Sequence, residues 1–380
     1  MRRMSTPDRT GRADRLAATY LVRAKPGAIA ARAQAIAVEQ SVEMPLDAID
    51  DRDIRDRIVG RVEDIADRGG GVFAVRIGLA AATVGADAGQ LLNMAFGNTS
   101  LHPDVVLHDL ALPAALAARF GGPRHGLDGL RARVGVAGRA LTCAAIKPQG
   151  LGPERLADIA LRFALGGIDY VKDDHGLADQ DNAPFAARVA ACAEAVRRAT
   201  AVTGHPTRYV PSLSGSLDAL REQARQAREA GIDTVMVAPM LAGWSNVQAL
   251  GRAFPDLAFV AHPTMGGAAR IAPELLLGRL FPLIGADAVI FPNHGGRFGY
   301  SPATCLRLAG NARRPGHGQR ACLPVPAGGM DLGRVPEMLD FYGQKAMLLI
   351  GGSLLAAREG LTAQTARFAR AVAAHRHSET

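Results

Sequence analysis

The segment LTCAAIKPQGLGPERLADIALRFALGGIDYVKDDHG, residues 141–176, contains two short apolar runs separated by an amphipathic stretch. LTCAAIK and DYVKD have the composition of buried β-strands, and PERLADIALRFALGG between them has the spacing of a helix. A strand, a helix and a second strand in this order indicate a βαβ unit with parallel strands. The segment ends in a lysine, two aspartates and a histidine. These four residues form either an ordinary strand exit or the ligand set of a metal ion.

The same alternation of apolar runs and amphipathic stretches continues to the end of the chain. Eight such βα units predict a (β/α)8 TIM barrel, a fold of the α/β class. A doubly wound open sheet is the alternative, but no glycine-rich dinucleotide fingerprint follows the first strand, so the barrel is favoured. The strand-like runs lie at residues 141–147, 169–173, 208–213, 234–239, 258–263, 288–293, 322–327 and 345–352.

The first part of the chain has a different pattern. ATYLVRA, RVEDIAD, GVFAVRIGLA and VVLHDLAL are typical of strands, and helices are expected near residues 26–37 and 84–97. This pattern predicts a small α+β domain. We therefore expect three parts, namely a disordered tail at residues 1–15, an N-terminal domain at 16–134 and a catalytic barrel at 135–380.

Composition restricts the class of protein. The chain has 380 residues, of which 48% are hydrophobic and 21% charged, as in soluble globular proteins. No run approaches ~18 apolar residues, so no membrane span is expected, and the basic N-terminus lacks the apolar core of a secretory signal. The four cysteines form no C-x-x-C pair. We expect a cytoplasmic protein with reduced, buried thiols.

The net charge of +8 comes from arginine, since only Lys25, Lys147, Lys172 and Lys345 are lysine among 44 basic residues. The arginines are scattered among acidic residues on helix-like segments, whereas a nucleic-acid surface needs a concentrated basic patch. No nucleic-acid or membrane partner is therefore expected. A chain that otherwise uses arginine keeps lysine where an amine must lose its proton or become carbamylated.

Polar residues and glycine pairs follow the predicted strands. Because the chemistry of a barrel lies at the carboxyl ends of its strands, these residues are site candidates. Paired glycines after strands seven and eight are either tight turns or a backbone N–H cradle for phosphate, and a histidine there is either a ligand or a core residue. The candidates are Lys147, Lys172, Asp173, Asp174, His175, His262, Asn293, His294, Gly328, Gly329, Gly351 and Gly352.

The segment AAIKPQGLGPERLADIALRFALGGIDYVKDDHGLADQ, residues 144–180, resembles the ribulose-bisphosphate carboxylase (RuBisCO) large chain and its non-carboxylating relatives, the RuBisCO-like proteins. The family has an IKP lysine after the first barrel strand and a KDDE segment after the second. Further stretches match in order over residues 18–360. They are VEQSVEMP, MAFGNTS, FGGPRHGL, AGGM and IGGS.

This resemblance implies a ferredoxin-like N-terminal domain, a barrel and a homodimer whose sites are shared between subunits. It implies a carbamate on Lys172, which with Asp174 and His175 would bind Mg²⁺. Lys147 would move a proton, and Glu39 and Asn98 would come from the partner subunit. His262 and His294 are further catalytic candidates, and the two glycine pairs and Arg297 are phosphate or substrate candidates.

Several positions depart from the family pattern. The third metal ligand, a glutamate in the family, is His175, and imidazole suits softer ions than Mg²⁺. Of the two phosphate sites, one keeps its glycines and the other has lost its polar groups, so a bisphosphate substrate and carbon dioxide fixation are not expected. The other departures are Gln149 for a second lysine, Pro263 for arginine, Phe291 for histidine, Ala327 for serine, and a loop without the mobile lysine, where Arg297 is nearest.

The family features that this sequence keeps predict a reaction of a monophosphate substrate. The reaction would pass through an enolate that a metal ion stabilises. The main interpretation is a carboxy-lyase or C–C hydrolase of a 3-oxo sugar acid phosphate, as in apionate breakdown. The alternatives are the 2,3-diketo-5-methylthiopentyl-1-phosphate enolase or methylthioribulose-1-phosphate isomerase of methionine salvage, or a non-catalytic binding protein on the same fold.

Overall fold

The computed structural model describes residues 15–314 and 316–375. Two compact units are present, one comprising Met1–Phe120 with Ala269–Leu275 and the other Gly121–Ala268 with Leu276–Thr380. The tail expected at residues 1–15 lies outside the described residues except for Arg15, which begins the first strand. Within the described ranges, no helix combines the length and the apolar character needed to cross a bilayer.

The first unit is built on a four-stranded antiparallel sheet with the order β2-β3-β1-β4. All four strands and both helices expected from its sequence are present. Helix α2 begins after Asp87, whose carboxylate accepts a hydrogen bond from the backbone N–H of Gln90 and so caps the helix. The strands are β1 (Arg15–Arg23), β2 (Arg61–Asp67), β3 (Val72–Ala80) and β4 (Val105–Ala111), and the helices are α1 (Ile29–Glu39), α2 (Ala88–Phe96), α3 (Ala114–Ala117) and α10 (Pro273–Leu275).

The second unit is a parallel barrel, which confirms the predicted fold class. All eight expected strands are present, and the third is interrupted at Pro211, which has no N–H to donate. Its first half pairs with β6 and its second half with β9, so the sheet closes. The strands are β5 (Leu141–Ala145), β6 (Tyr170–Lys172), β7 (Arg208–Val210), β8 (Ser212–Leu213), β9 (Thr234–Val237), β10 (Ala258–Ala261), β11 (Ala288–Pro292), β12 (Leu323–Ala327) and β13 (Met347–Ile350).

Helices surround the barrel in the order expected for βα units. The longest, α6, has an apolar side that includes Phe185, Val189 and Val196, all buried. The helices of this unit are α4 (Gly126–Arg133), α5 (Pro153–Leu165), α6 (Phe185–Thr203), α7 (Leu217–Glu229), α8 (Pro239–Ala242), α9 (Trp244–Ala253), α11 (Phe281–Leu283), α12 (Pro302–Arg313), α13 (Val335–Tyr342), α14 (Gly352–Leu355) and α15 (Leu361–Ala374).

Helix α4 closes the amino-terminal end of the barrel. Leu127 and Leu130 belong to the same buried cluster as the inward side chains of the strands. The carboxylate of Asp287, just before β11, accepts hydrogen bonds from the N–H groups of His125 and Gly126 at 2.7 Å each. We expected this helix in the N-terminal domain, whereas its apolar side packs against barrel strands. The carboxyl-terminal mouth is therefore the end left for chemistry.

Asp169 is a buried carboxylate at the start of β6. It accepts two hydrogen bonds from the Arg139 guanidinium, at 2.7 and 2.8 Å, and two from Thr142. Burial by itself raises the pKa of Asp169, but the hydrogen bonds from Arg139 and His205 outweigh it and lower that pKa. The folded structure therefore favours the charged form of the Asp169 carboxylate.

We expect Asp169→Asn to lower the free energy of unfolding by about 3 kcal/mol at neutral pH, measured by urea denaturation, because the Arg139 charge loses its partner. Asp233→Asn is the matched control, since Asp233 also precedes a strand and pairs with Arg208, but its side chain is 32% exposed. We expect less than about 1 kcal/mol there. An equal loss in both variants would contradict this account.

The pH dependence follows from the sign of the shift. A carboxyl whose pKa is lower in the folded than in the unfolded chain stabilises the fold above the unfolded value, about 3.9, and loses this contribution as the pH falls below it. Wild type should therefore lose more stability than Asp169→Asn when the pH is lowered through this range.

Candidate active site

The carboxyl ends of the barrel strands surround a cavity of about 1000 Å³. Residues that follow six different strands line it, which is the arrangement expected of a barrel site. On one side, charged residues and histidines contact each other, and the rest of the lining is mainly apolar with a few polar residues. The charged side contains Lys147, Lys172, Asp174, His175 and His262, and the remaining lining includes Pro263, Thr264, Met265, Ile290, Phe291, Arg297, Phe298, Ala327, Gly328, Gly329, Met330, Leu349, Gly351, Gly352 and Ser353.

Lys172 is the last residue of β6, and only 5% of it is exposed. Its Nζ donates a hydrogen bond to the carbonyl oxygen of Asp173 at 2.8 Å. Burial lowers the pKa of the Lys172 amine, and the nearby charge of Lys147 acts in the same direction. A larger fraction of the amine is therefore neutral, which is the form that reacts with carbon dioxide to give a carbamate.

The Asp174 carboxylate has two side-chain partners, His175 and Lys147. Its Oδ1 is 2.9 Å from Nδ1 of His175, and its Oδ2 forms an ion pair with Nζ of Lys147. Burial by itself raises the pKa of Asp174, but the hydrogen bonds from His175 and Lys147 hold that pKa well below its usual range. Asp174 is therefore an anion whose two oxygens face the cavity residues.

His175 and His262 stack, with ring centroids 4.7 Å apart and ring planes within 4° of parallel. His262 follows β10, and its Nδ1 accepts a hydrogen bond from the Thr264 backbone N–H at 3.3 Å. Burial and the nearby Lys172 amine lower the pKa of His262 to about 2. The ring is therefore neutral, and its Nδ1 also lies 2.6 Å from the Thr264 hydroxyl oxygen.

The charged side fits a divalent cation only if Lys172 is modified. Nowhere in residues 15–314 and 316–375 do three His, Cys, Asp or Glu side chains lie together as a metal site. Asp174 and His175 would supply two donors, and a carbamate on Lys172 would supply the third. Asp173 is unavailable, because its carboxylate binds Arg188, Tyr209 and the N–H of Ser212.

The glycine pairs form two backbone loops at the cavity wall. Gly328 and Gly329 have φ angles of +83° and +65°, which side chains other than glycine rarely adopt. A Cβ on Gly329 would lie 2.6 Å from Cα of Gly296. At Gly351 a Cβ would meet only Lys147, with Cε at 3.8 Å, so this loop is open towards the cavity.

Ser353 was not singled out from the sequence, although it directly follows the second glycine pair. Its Oγ donates a hydrogen bond to the carbonyl oxygen of Met330 at 3.0 Å. This bond joins the two glycine loops to each other. A search for hydroxyl residues beside the glycine pairs would have found it.

The loop after β11 contributes less than its sequence suggested. His294 packs against Phe341 with ring centroids 4.3 Å apart and does not line the cavity, and burial lowers its pKa. Asn293 is buried and accepts a hydrogen bond from the Tyr342 hydroxyl at 2.6 Å. Arg297 does line the cavity and lies over the ring of Phe298. Only Arg297 of these three polar residues faces the cavity.

Glu39 and Asn98, the two candidates from the N-terminal domain, lie side by side in the first unit. The Asn98 amide donates hydrogen bonds to Glu39 and Glu43, both at 3.0 Å. Their expected role in a neighbouring subunit's site stays a prediction.

Three apolar residues of the lining stand at positions where the sequence departs from the pattern of the family that it resembles. Pro263, Phe291 and Ala327, three of the replacements noted in the sequence, all line the cavity. Phe291 is fully buried and packs edge-on against Tyr342. None of these three positions presents a charged side chain to the cavity, so this part of the lining suits an apolar group of a ligand.

Three comparisons place the chain among known proteins. The family model for the ribulose bisphosphate carboxylase large chain, catalytic domain, matches residues 126–274. A 5-methylthioribulose-1-phosphate isomerase of Rhodospirillum rubrum is 60% identical over 361 residues, which cover 95% of this chain and 96% of the relative. A 2,3-diketo-5-methylthiopentyl-1-phosphate enolase of Geobacillus kaustophilus is 34% identical over 74% of this chain and 70% of the relative.

A solved structure has the same fold over almost the whole chain. It is a RuBisCO-like protein from Rhodopseudomonas palustris, with a TM-score of 0.90 and 53% identity, covering 96% of this chain and 99% of the other. The likeness extends across both units, so it includes the residues of the cavity.

Proposed function

The chain belongs to the RuBisCO-like proteins of the ribulose-bisphosphate carboxylase large-chain family, and from this membership we propose that it is an isomerase of a 5-methylthiopentulose 1-phosphate. The observation that carries the proposal is a cavity whose lining combines charged and apolar residues. Lys147, Lys172 and Asp174 supply its charged groups, and Pro263, Phe291 and Ala327 supply an apolar surface. A substrate that carries a phosphate at one end and a methylthio group at the other matches both the charged and the apolar residues of this lining.

This proposal replaces the 3-oxo sugar acid phosphate favoured from the sequence. A sugar acid has polar groups along its whole length, and those groups would lose water against the apolar surface without gaining hydrogen bonds. The relative at 60% identity is named as an isomerase, and the relative named as an enolase is at 34%. Both names support the methylthio alternative, and the higher identity favours the isomerase.

We assign the substrate phosphate to the loops of Gly328, Gly329, Gly351 and Gly352. Glycine allows backbone N–H groups to approach an anion closely, and the loops after the last two strands are the usual phosphate site of a barrel. The Ser353 hydrogen bond to Met330 keeps the two loops in register. The methylthio group would then extend towards Phe291.

We assign the metal site to a carbamate on Lys172, with Asp174 and His175. When bound there, a divalent cation supplies positive charge that stabilises negative charge on a substrate oxygen. One imidazole among two oxygen donors makes the set less suited to Mg²⁺ than three oxygens would be, so Mn²⁺ is a useful probe.

Isomerisation of a ketose requires a proton to leave a carbon beside the ketone and to return at another carbon. We assign this transfer to Lys147, whose side chain reaches the cavity and is 38% exposed. Its pairing with Asp174 holds the amine at the charged side. His262, a neutral imidazole at the cavity wall, would form a hydrogen bond with a substrate oxygen. We further propose a homodimer in which Glu39 and Asn98 complete the partner's site.

The test is turnover of 5-methylthioribulose 1-phosphate in D₂O with bicarbonate and Mg²⁺ or Mn²⁺, followed by ¹H and ³¹P NMR. We expect a new methylthiopentulose phosphate that carries solvent deuterium, and no carboxylation of ribulose bisphosphate. Turnover of 2,3-diketo-5-methylthiopentyl 1-phosphate alone would make the chain an enolase. Release of carbon dioxide from a 3-oxo sugar acid phosphate, without isomerase activity, would restore the lyase interpretation.

The phosphate assignment has its own test. Gly351→Val places a branched side chain in the open loop and should raise KM for 5-methylthioribulose 1-phosphate by roughly 10- to 100-fold, the equivalent of one hydrogen bond to a charged group. Inhibition by the dephosphorylated sugar should change little. Equal weakening of the phosphorylated and dephosphorylated compounds would show that the loop binds another part of the substrate.

A further inference from the structure

Arg188, in the first turn of α6, is a fully buried arginine. Its Nε lies 3.2 Å from Oδ2 of Asp173, and its Nη1 donates to the carbonyl oxygens of Ala178 and Ala183 at 2.7 and 2.8 Å. Apolar side chains of similar volume often replace a buried ion pair with no loss of stability. Stability alone therefore does not account for a guanidinium at this position.

Asp173, the partner of Arg188, is also fully buried. Besides Arg188, the Tyr209 hydroxyl donates to its Oδ1 at 2.5 Å and the Ser212 N–H to its Oδ2 at 2.9 Å. The carbonyl oxygen of the same residue accepts the hydrogen bond from Nζ of Lys172 at 2.8 Å. Asp173 thus accepts hydrogen bonds from three donors at its carboxylate and, at its carbonyl oxygen, the hydrogen bond from the Lys172 amine.

The contacts of Arg188 enclose the turn that carries the other two metal-ligand candidates. Asp173 precedes Asp174 and His175 in the chain, and Ala178 follows them. One guanidinium therefore fixes the backbone on both sides of the turn. We propose that Arg188, acting through Asp173, is a positioning residue that holds Lys172, Asp174 and His175 in the arrangement needed to bind a divalent cation.

This inference rests on the metal site assigned above, and it is a statement about how that site is held. Partners behind metal ligands orient those ligands, and their removal typically weakens metal affinity 10- to 100-fold. Arg188 touches neither the cavity nor the ligand side chains themselves. Its effect must therefore pass through the backbone of residues 173–178.

The experiment measures Mn²⁺ affinity of the full chain at saturating bicarbonate by electron paramagnetic resonance, with ¹³C NMR of the carbamate in parallel. Arg188→Met should bind Mn²⁺ roughly 10- to 100-fold more weakly than wild type. The matched control is Asp169→Asn, which removes a buried charge from the opposite end of the same strand. It should lower Tm but leave Mn²⁺ affinity unchanged.

The Mn²⁺ affinities of these variants decide whether Arg188 positions the metal-ligand candidates. Unchanged Mn²⁺ affinity in folded Arg188→Met overturns it and leaves the metal site standing, and an equal loss in Asp169→Asn overturns it by showing that affinity follows stability. If Arg188→Met does not fold, Tyr209→Phe removes one hydrogen bond to Asp173 and keeps the ring. Weaker Mn²⁺ binding by this variant supports the inference, and unchanged binding overturns it. If wild type binds no Mn²⁺, the metal site and the inference fall together.

Discussion

Lys147→Met is expected to lower kcat for the isomerisation by about 10²- to 10⁴-fold, the usual effect of removing a positioned proton-transfer group. Methionine has a similar length and an apolar stem, so the cavity wall keeps its packing. The Lys147 amine pairs with Asp174 and lies beside the open Gly351 loop, which places it next to both the assigned metal site and the assigned phosphate. The measurement is steady-state kinetics with 5-methylthioribulose 1-phosphate.

The chain supplies a matched control for this prediction. Lys345→Met makes the same change at an exposed lysine before β13, outside the cavity lining, and should leave kcat unchanged. Exchange of the substrate C–H with D₂O should disappear together with turnover in Lys147→Met. If that variant still exchanges the proton at the wild-type rate, another group moves it and the assignment is wrong.

Lys172→Arg is expected to abolish the carbamate and to weaken Mn²⁺ binding by at least about 100-fold, because a direct ligand contributes more than the partners behind it. Arginine keeps a positive charge but has no amine to carbamylate. In wild type with ¹³C-labelled bicarbonate, a carbamate resonance should appear in the NMR spectrum, and in Lys172→Arg it should be absent.

Three results would contradict the prediction for Lys172. A wild-type spectrum without a carbamate signal, at a bicarbonate concentration that supports activity, would leave only Asp174 and His175 as protein ligands. Mn²⁺ affinity that does not depend on bicarbonate would point the same way. A loss of metal binding in Lys172→Arg without any carbamate signal in wild type would indicate a different role for the amine.

The barrel was predictable because each buried parallel strand has a continuous apolar run, which leaves a local signal. The break at Pro211 was not predictable as a break, since the flanking residues have the same composition as an unbroken strand. The placement of α4 depended on Asp287, far away in the chain, which accepts its first N–H groups. Contacts between distant segments leave no trace in the local pattern of either segment.

The cavity residues were predictable as a group but not one by one. His262 and His294 both follow strands, and nothing in the flanking sequence distinguishes them. The structure separates them through packing, because His294 lies against Phe341 while His262 stacks on His175. Asp173 and Asp174 are similarly alike in sequence. Arg188 and Tyr209, which bind the carboxylate of Asp173 and not that of Asp174, make the difference.

Strand β6 is only three residues long, yet the residue on each side of it is a buried aspartate with several donors, Asp169 before it and Asp173 after it. Because β6 pairs with β5 and β7, we expect its backbone N–H groups to be protected from hydrogen exchange to the same degree as those of its neighbours. The Lys172 backbone is therefore already in place before substrate arrives. Arg297 and Phe298, which also line the cavity, are exposed, whereas Lys172 and Asp174 are buried.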